Sequence, residues 1–325
     1  MDDRARAARS RSPVRFTDRM GQMWTRAQLR AMGWSDERIA RAADAELTRL
    51  AHGVYGERTA DAPQWVRDRE RVLAAALTCD AVVSHESAAF LHGIPVLRPD
   101  RRYVHFTIDR AGGGWKRREQ HVHARPLSAD QITIVDGVRV TSRCRTAVDV
   151  AMSGGVERAV CAFDAVRLEP RYPRPEDPDP IPVADLQTCL GRLARCRGAA
   201  VARRALDLSV TCSESAGESL SRMQILGARL PRPRLQAPRV LDDELFYADF
   251  DWGTVVGEFD GRAKYGDDPE EVTAALAEEK RRQELFAAAG IDVVRWRWRV
   301  LNTAGGLHRL LLPALARGGL IAAGV

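Results

Sequence analysis

Apolar and polar positions alternate with a helical period early in the chain. Thr25 offers a helix N-cap ahead of Arg26-Ala27-Gln28-Leu29-Arg30-Ala31-Met32, and Gly33 stops that helix. Ser35 caps a second helix, Asp36 to Glu46, whose apolar positions Ile39, Ala42 and Ala43 fall at i, i+3 and i+4. Leu47 to Tyr55 then reads as a short hairpin turning at His52-Gly53. Helix, tight turn, helix and wing is the order of a winged helix-turn-helix, here placed at residues 16–60.

Beyond it the period changes repeatedly. Helices are expected from Arg67 to Leu77 and from Ser84 to His92, the latter ended by Gly93 and Pro95. Tyr103 to Asp109, His121 to Arg125 and Ile132 to Thr141 alternate as strands. Turns are expected at Gly112-Gly113-Gly114 and at Asp136-Gly137. Arg145 to Met152 and Val156 to Leu168 are helical, the stretch from Pro170 to Pro182 is a proline-rich surface loop, and Asp185 to Leu208 is helical again. Residues 61–210 are therefore expected to form a mixed α/β middle region.

In residues 211–325 the expected order is helix, hairpin, helix, strand. A helix starts at Ser213 to Ser215 and runs to about Leu226. Phe246 to Trp252 and Val255 to Gly261 are two strands joined by Gly253-Thr254. Pro269 to Ala289 is a long amphipathic helix ended by Gly290, and Ile291 to Trp296 is a strand. The fold class expected is thus α+β and multidomain.

Composition changes this picture only at the edges. Met1 to Arg15 is rich in Arg, Ala and Ser without an apolar period and is expected to be a disordered basic arm. The first 60 residues hold 12 arginines against 8 acids, whereas residues 211–325 hold 15 basic against 17 acidic residues. Attraction to phosphate is therefore expected at the front of the chain, with Arg26, Arg38, Arg41 and Arg49 facing double-stranded DNA. The six cysteines form no Cys-x-x-Cys pair, which argues against a zinc knuckle. No secretory leader or membrane span is read, so a cytoplasmic protein is expected.

The chemistry concentrates in the hairpin. Asp249 ends one strand, while Glu258 and Asp260 alternate on the next and face one side. Lys264 follows within reach of the same edge. Acids on neighbouring strands can share a divalent cation, and a nearby lysine can position an attacking water. Glu218 has two readings: it stands in capping-box spacing to Ser215, and it is a fourth metal-site acid. The alternative for Glu258 and Asp260 is a pair of edge-strand charges that discourage aggregation. His105, His121 and His123 are read as ordinary polar histidines, because no fourth ligand accompanies them. Trp296 and Trp298, alternating on the last strand, are either core aromatics or base-stacking groups, and Lys280 to Arg282 are either a solvated face or a contact to DNA backbone.

The run Ala248-Asp249-Phe250-Asp251-Trp252 through Glu258-Phe259-Asp260-Gly261-Arg262-Ala263-Lys264-Tyr265, with Lys280-Arg281-Arg282 and Val293-Val294-Arg295-Trp296, resembles a bacterial domain family related to very-short-patch-repair endonucleases. The block from Thr25 to Tyr55 resembles the winged helix of AbiEi-type antitoxins, regulators of type IV toxin–antitoxin systems. So do Ser84 to Ala89, His92 to Pro95, Val140-Thr141 and Arg145 to Asp149 with the middle region of those proteins. The first resemblance implies a C-terminal PD-(D/E)XK core. In it Glu218, Asp249, Glu258 and Asp260 hold Mg²⁺ or Mn²⁺, Asp249, Glu258, Asp260 and Lys264 are catalytic, and Lys264 stands where relatives often carry His. The simple motif expects Lys two positions after the strand acid, where this chain has Asp260. The second resemblance implies an operator-binding homodimer with a nucleotidyltransferase-like toxin as partner. Two functions follow: a DNA-binding regulator with an endonuclease-fold domain, or an active metal-dependent DNA endonuclease.

Overall fold

The computed structural model describes residues 22–57, 63–261 and 280–322. The basic arm, Lys264 and the first half of the expected helix at 269–289 lie outside the described residues. The chain is α+β, with three sheets among the described residues, and it divides into two compact units. One comprises residues 1–153 and 188–199, the other residues 154–187 and 200–325. No helix among the described residues is long and apolar enough to cross a membrane.

The first unit begins with β1 (Met23–Thr25), α1 (Arg26–Ala31), α2 (Asp36–Ala45), β2 (Leu47–Ala51) and β3 (Val54–Glu57). Thr25 Oγ1 accepts from Gln28 N at 3.2 Å, and Gln28 Oε1 accepts from Thr25 N at 2.8 Å, a reciprocal capping box. Ser35 Oγ accepts from Arg38 N at 3.2 Å and so opens α2. Leu29, Ile39, Ala42 and Leu47 bury together, flanked by Trp24, Trp34 and Tyr55. The strands run antiparallel in the order β1-β3-β2. Met23 and Val54 instead join the main core of the unit.

That core lies on a six-stranded sheet. Its strands are β4 (Val82–Val83), β5 (Val104–Ile108), β6 (Trp115–Arg117), β7 (Gln120–Ala124), β8 (Ile132–Val135) and β9 (Val138–Thr141), in the order β6-β7-β5-β4-β9-β8. The β5/β7 and β4/β9 pairs are parallel and the others antiparallel. Asp136 and Gly137 both take positive φ in the β8–β9 turn, as a two-residue I′ hairpin requires. Helices α3 (Gln64–Ala76) and α4 (His85–His92) bury Val72, Leu73, Ala88 and Leu91 with Val104, Phe106, Val122 and Val140 of the sheet. Each such aliphatic or aromatic burial is worth about 1.5–3 kcal/mol. Helix α5 (Arg143–Met152) adds a fully buried ion pair, Arg145 Nε to Asp149 Oδ1 at 3.1 Å. Two strands here were not foreseen. β4 is too short to show alternation, and β6 is exposed on every residue.

Helix α7 (Val183–Arg192) begins in the second unit and ends in the first. The second unit otherwise holds α6 (Val156–Arg167), α8 (Ala199–Leu208), α9 (Ala216–Gly227), β10 (Arg234–Leu241), β11 (Glu244–Asp251), β12 (Val255–Phe259) and a helix α10 described over 280–288. β13 (Asp292–Trp296), α11 (Trp298–Leu301) and α12 (Gly306–Arg317) follow. The sheet order is β10-β11-β12-β13, antiparallel except for the β12/β13 pair. The expected order of helix, hairpin, helix and strand is present, with β10 added at the edge. Pro238 sits inside β10 opposite Tyr247. A strand can carry proline at an edge, where the missing N–H faces away from the ladder. Asp242 and Asp243 supply the positive φ values of the β10–β11 turn.

Trp296 is 2% exposed, packs at 5.3 Å from the Phe250 ring and donates from Nε1 to Ser221 Oγ at 2.7 Å, so it is a core aromatic. The expected alternation of Trp296 and Trp298 on one strand is corrected: β13 ends at Trp296, and Trp298 opens α11 against the Phe259 ring.

Candidate carboxylate site and arginine surface

The acids of the second unit meet beside β11. A Cβ on Gly217 would stand 1.9 Å from the Phe259 ring, so only glycine lets α9 close on β12. That approach carries the next residue, Glu218, to the sheet. Gln236 of β10 reaches the same point from the other side. Its Nε2 donates to Glu218 Oε2 at 2.9 Å and to Asp249 Oδ1 at 3.0 Å. Asp249 Oδ2 accepts from the Phe259 amide at 2.9 Å, which sets it against the end of β12. Ser215 Oγ donates to Glu218 Oε1 at 2.7 Å and the Glu214 amide to Oε2 at 3.0 Å. Glu218 is therefore the cap partner of Ser215, and Gln236 also links it to Asp249.

Crowding changes the charge state. Burial, and then the neighbouring Asp249 carboxylate, push Glu218 up to about 7. Burial pushes Asp249 up to about 6, with the Glu258 carboxylate adding to the effect and the Phe259 amide opposing it. Both groups thus titrate near neutrality, as acids in functional clefts often do.

The other two acids are held differently. Glu258 accepts from Arg282 and, at 2.8 Å, from Arg295, its register partner on β13. Asp260 accepts from Arg297 Nε at 2.8 Å. Lys280 pairs with Glu284, and Arg281 with Glu244, so the basic run on α10 is engaged within the protein. Asp251 is a separate matter. Burial raises it, but Arg239 and the Gly253 amide outweigh that and leave it below the ordinary carboxylate range, tying β10 to the β11 turn.

Sequence reasoning missed Gln236 and Arg171. Arg171, in the proline-rich stretch, donates to Gln236 Oε1 at 2.5 Å and lies 3.5 Å over the Tyr247 ring. Gln236 sits between the register pairs Leu235–Phe250 and Ala237–Ala248, with φ of +47°. Alternation of Leu235 and Ala237 was the signal for it, interrupted by the surrounding prolines.

A divalent cation with oxygen ligands fits this arrangement in part. Glu218 and Asp249 offer carboxylate oxygens whose mutual repulsion a cation would relieve. Glu258 and Asp260 have their charge met by arginine. Among the described residues, the group with three metal-ligating side chains in reach of one ion is His105, His121 and His123 of the first unit, not the acids.

In the first unit the expected DNA-facing arginines separate. Arg26 Nε and Arg30 Nη2 both donate to Asp36, at 3.0 and 2.7 Å, and so staple α1 to α2. Arg38 and Arg41 are exposed on α2, with Arg38 4.0 Å over the Trp34 ring. Arg49 is exposed on β2 and meets His52 Nδ1 at 2.9 Å.

Comparison of the chain with protein-family models and with curated proteins finds no match.

Proposed function

We propose that the chain is a DNA-binding protein of the AbiEi antitoxin and transcriptional-regulator type, whose second unit is an endonuclease-type PD-(D/E)XK core. The observation that supports this reading best is the surface of residues 22–57. A capped helix, a tight turn, a second capped helix and a hairpin leave Arg26, Arg38, Arg41 and Arg49 exposed, with Arg26 paired to Asp36. The second helix would enter the major groove and Arg49 on the wing would meet the flanking phosphates of double-stranded DNA. Operator binding as a homodimer, and a nucleotidyltransferase-like toxin as partner, belong to the same reading. A band-shift assay on the upstream DNA tests it. Replacing Arg38 and Arg41 with Ala removes both arginines from each protomer of the dimer, so binding should weaken and the slope of log K against log salt should fall by about 4. Undiminished binding after deletion of residues 1–60 overturns it.

The shared Gln236 amide between Glu218 and Asp249 favours a second reading, a Mg²⁺- or Mn²⁺-dependent DNA endonuclease. Glu218 and Asp249 would hold the ion. When bound, such an ion polarises a phosphoryl oxygen and lowers the pKa of its water. Gln236 and the Phe259 amide orient the two carboxylates, and Arg282 and Arg295 would hold Glu258 away from the ion, or would turn to an incoming phosphate and free Glu258. Purified protein should nick plasmid DNA with Mg²⁺, and Asp249→Ala should abolish nicking while leaving the circular dichroism spectrum intact. Equal nicking by both proteins rules this reading out.

A further inference from the structure

The parallel pairing of β5 with β7 sets His105 beside His121 and Thr107 beside His123. His121 and His123 are two residues apart on β7 and share a face. The three rings converge there, with centroids 3.8 Å apart for His121–His123, 5.1 Å for His105–His121 and 5.3 Å for His105–His123. One ring nitrogen of each lies within 4.8 Å of the others, and His105 Nδ1 stands 3.0 Å from His123 Nε2. Zinc–nitrogen bonds of about 2.0–2.1 Å in tetrahedral geometry place ligand nitrogens about 3.4 Å apart. The rings need to shift only slightly to meet that spacing.

We propose that His105, His121 and His123 bind one divalent transition-metal ion of the zinc class through three imidazole nitrogens, leaving the fourth position to water. Two surroundings support it. His121 Nδ1 is shielded from solvent and has no hydrogen-bond partner among the described residues. The ring set is also braced from behind. His85 stacks on His123 at 3.7 Å, its Nδ1 meets Ser84 Oγ at 2.9 Å, and Thr107 Oγ1 donates to Ser84 Oγ at 2.8 Å.

The ligand set chooses the ion: imidazole nitrogen suits zinc, cobalt and nickel, whereas magnesium and calcium take oxygen.

The test uses the full chain, stripped with chelator and titrated with Co²⁺. The wild type should take one equivalent, show the visible bands of four-coordinate cobalt and lose them to Zn²⁺. Asp249→Asn should bind equally well, which separates this site from the carboxylates. His121→Asn and His123→Asn should each weaken binding by more than the roughly 10–100-fold that loss of an outer-sphere partner costs. Folded variants with undiminished Co²⁺ binding, or a folded wild type that takes no stoichiometric Co²⁺, overturn the proposal. Should the histidine variants fail to fold, the stripped Asp249→Asn protein decides: Zn²⁺ must raise its melting temperature, and an unchanged melt overturns the site.

Discussion

The first unit gathers His105, His121 and His123 on β5 and β7, and the second gathers Glu218, Asp249 and Glu258 around β11. In both, burial and like neighbours disfavour the charged form: His121 and His123 are lowered, and Glu218 and Asp249 are raised. The supports differ. Behind the histidines lies His85, whose Nδ1 is 3.9 Å from the fully buried Asp149, itself paired to a fully buried Arg145. Around the acids the arginines are partly exposed, Arg282 at 31% and Arg295 at 24%. One cluster is set in a closed polar network, the other at a surface where arginines can let go.

Removing an arginine from each cluster tests that contrast most strongly. Arg145 also donates to the Pro126 carbonyl and to Gln131 Oε1, so Arg145→Ala strands several buried acceptors at once. A loss of about 3–5 kcal/mol is expected, the usual cost of orphaning a buried charge. Arg282→Ala leaves Glu258 with Arg295, and its half-exposed setting limits the loss to about 1 kcal/mol or less. Urea denaturation of both variants checks this, and equal losses would break the contrast.

Next in size is the contact that brings α9 to the sheet. Gly217→Ala drives a methyl group into the Phe259 ring, and overpacking of this kind costs about 1–3 kcal/mol. The helix must retreat, so Glu218 should also part from Asp249 and its titration midpoint should drop. A destabilised variant with an unchanged Glu218 midpoint would show that Gly217 packs the core without placing the acid.

How much of each cluster could be read beforehand follows from the same geometry. Asp249 and Glu258 sit on one hairpin, and Glu218 announces itself by capping-box spacing to Ser215, so local periodicity suffices. The arginine partners of Glu258 and Asp260 come from α10 and from the end of β13, and nothing local in the chain signals them. Gln236 was hidden because Pro231, Pro233 and Pro238 argue against a strand, whereas an edge strand tolerates them. The histidines show the limit most clearly. His121 and His123 share a face by strand alternation alone, but His105 joins them only through a parallel register, which no turn between the two strands specifies.

The clusters should also respond to pH with opposite signs. His121 and His123 have folded values below the ordinary 6.5, so the unfolded chain binds more protons in between. The first unit should therefore lose stability as pH falls from 6.5 towards 4. Glu218 and Asp249 have folded values above their ordinary 4.5 and 3.8, so the folded chain holds more protons there. The second unit should lose stability as pH rises from about 4 towards 7. Hydrogen exchange at pH 5 and pH 7, corrected for intrinsic rates, should show protection in β5 and β7 rising with pH and protection in α9 and β11 falling. Parallel changes in the two units would count against the assignment of either cluster.

The smallest effect separates the two causes of the raised Glu218. Burial comes first and the Asp249 charge second. Asp249→Ala removes the charge and opens only a little space, because Gln236 and the α9 cap still cover the carboxyl group. The midpoint of Glu218, followed by carbon-13 NMR of its carboxyl, should therefore fall from about 7 yet stay above the ordinary 4.5. A fall all the way to the ordinary value would make charge the dominant cause. A bound cation would likewise cancel the Asp249 charge, and Mg²⁺ added to the wild type should then shift the midpoint as far as the alanine does. A midpoint that does not move would mean the two carboxylates do not sense each other. The idea of a shared ion at this site would then lose its electrostatic basis, whatever becomes of the DNA-binding surface.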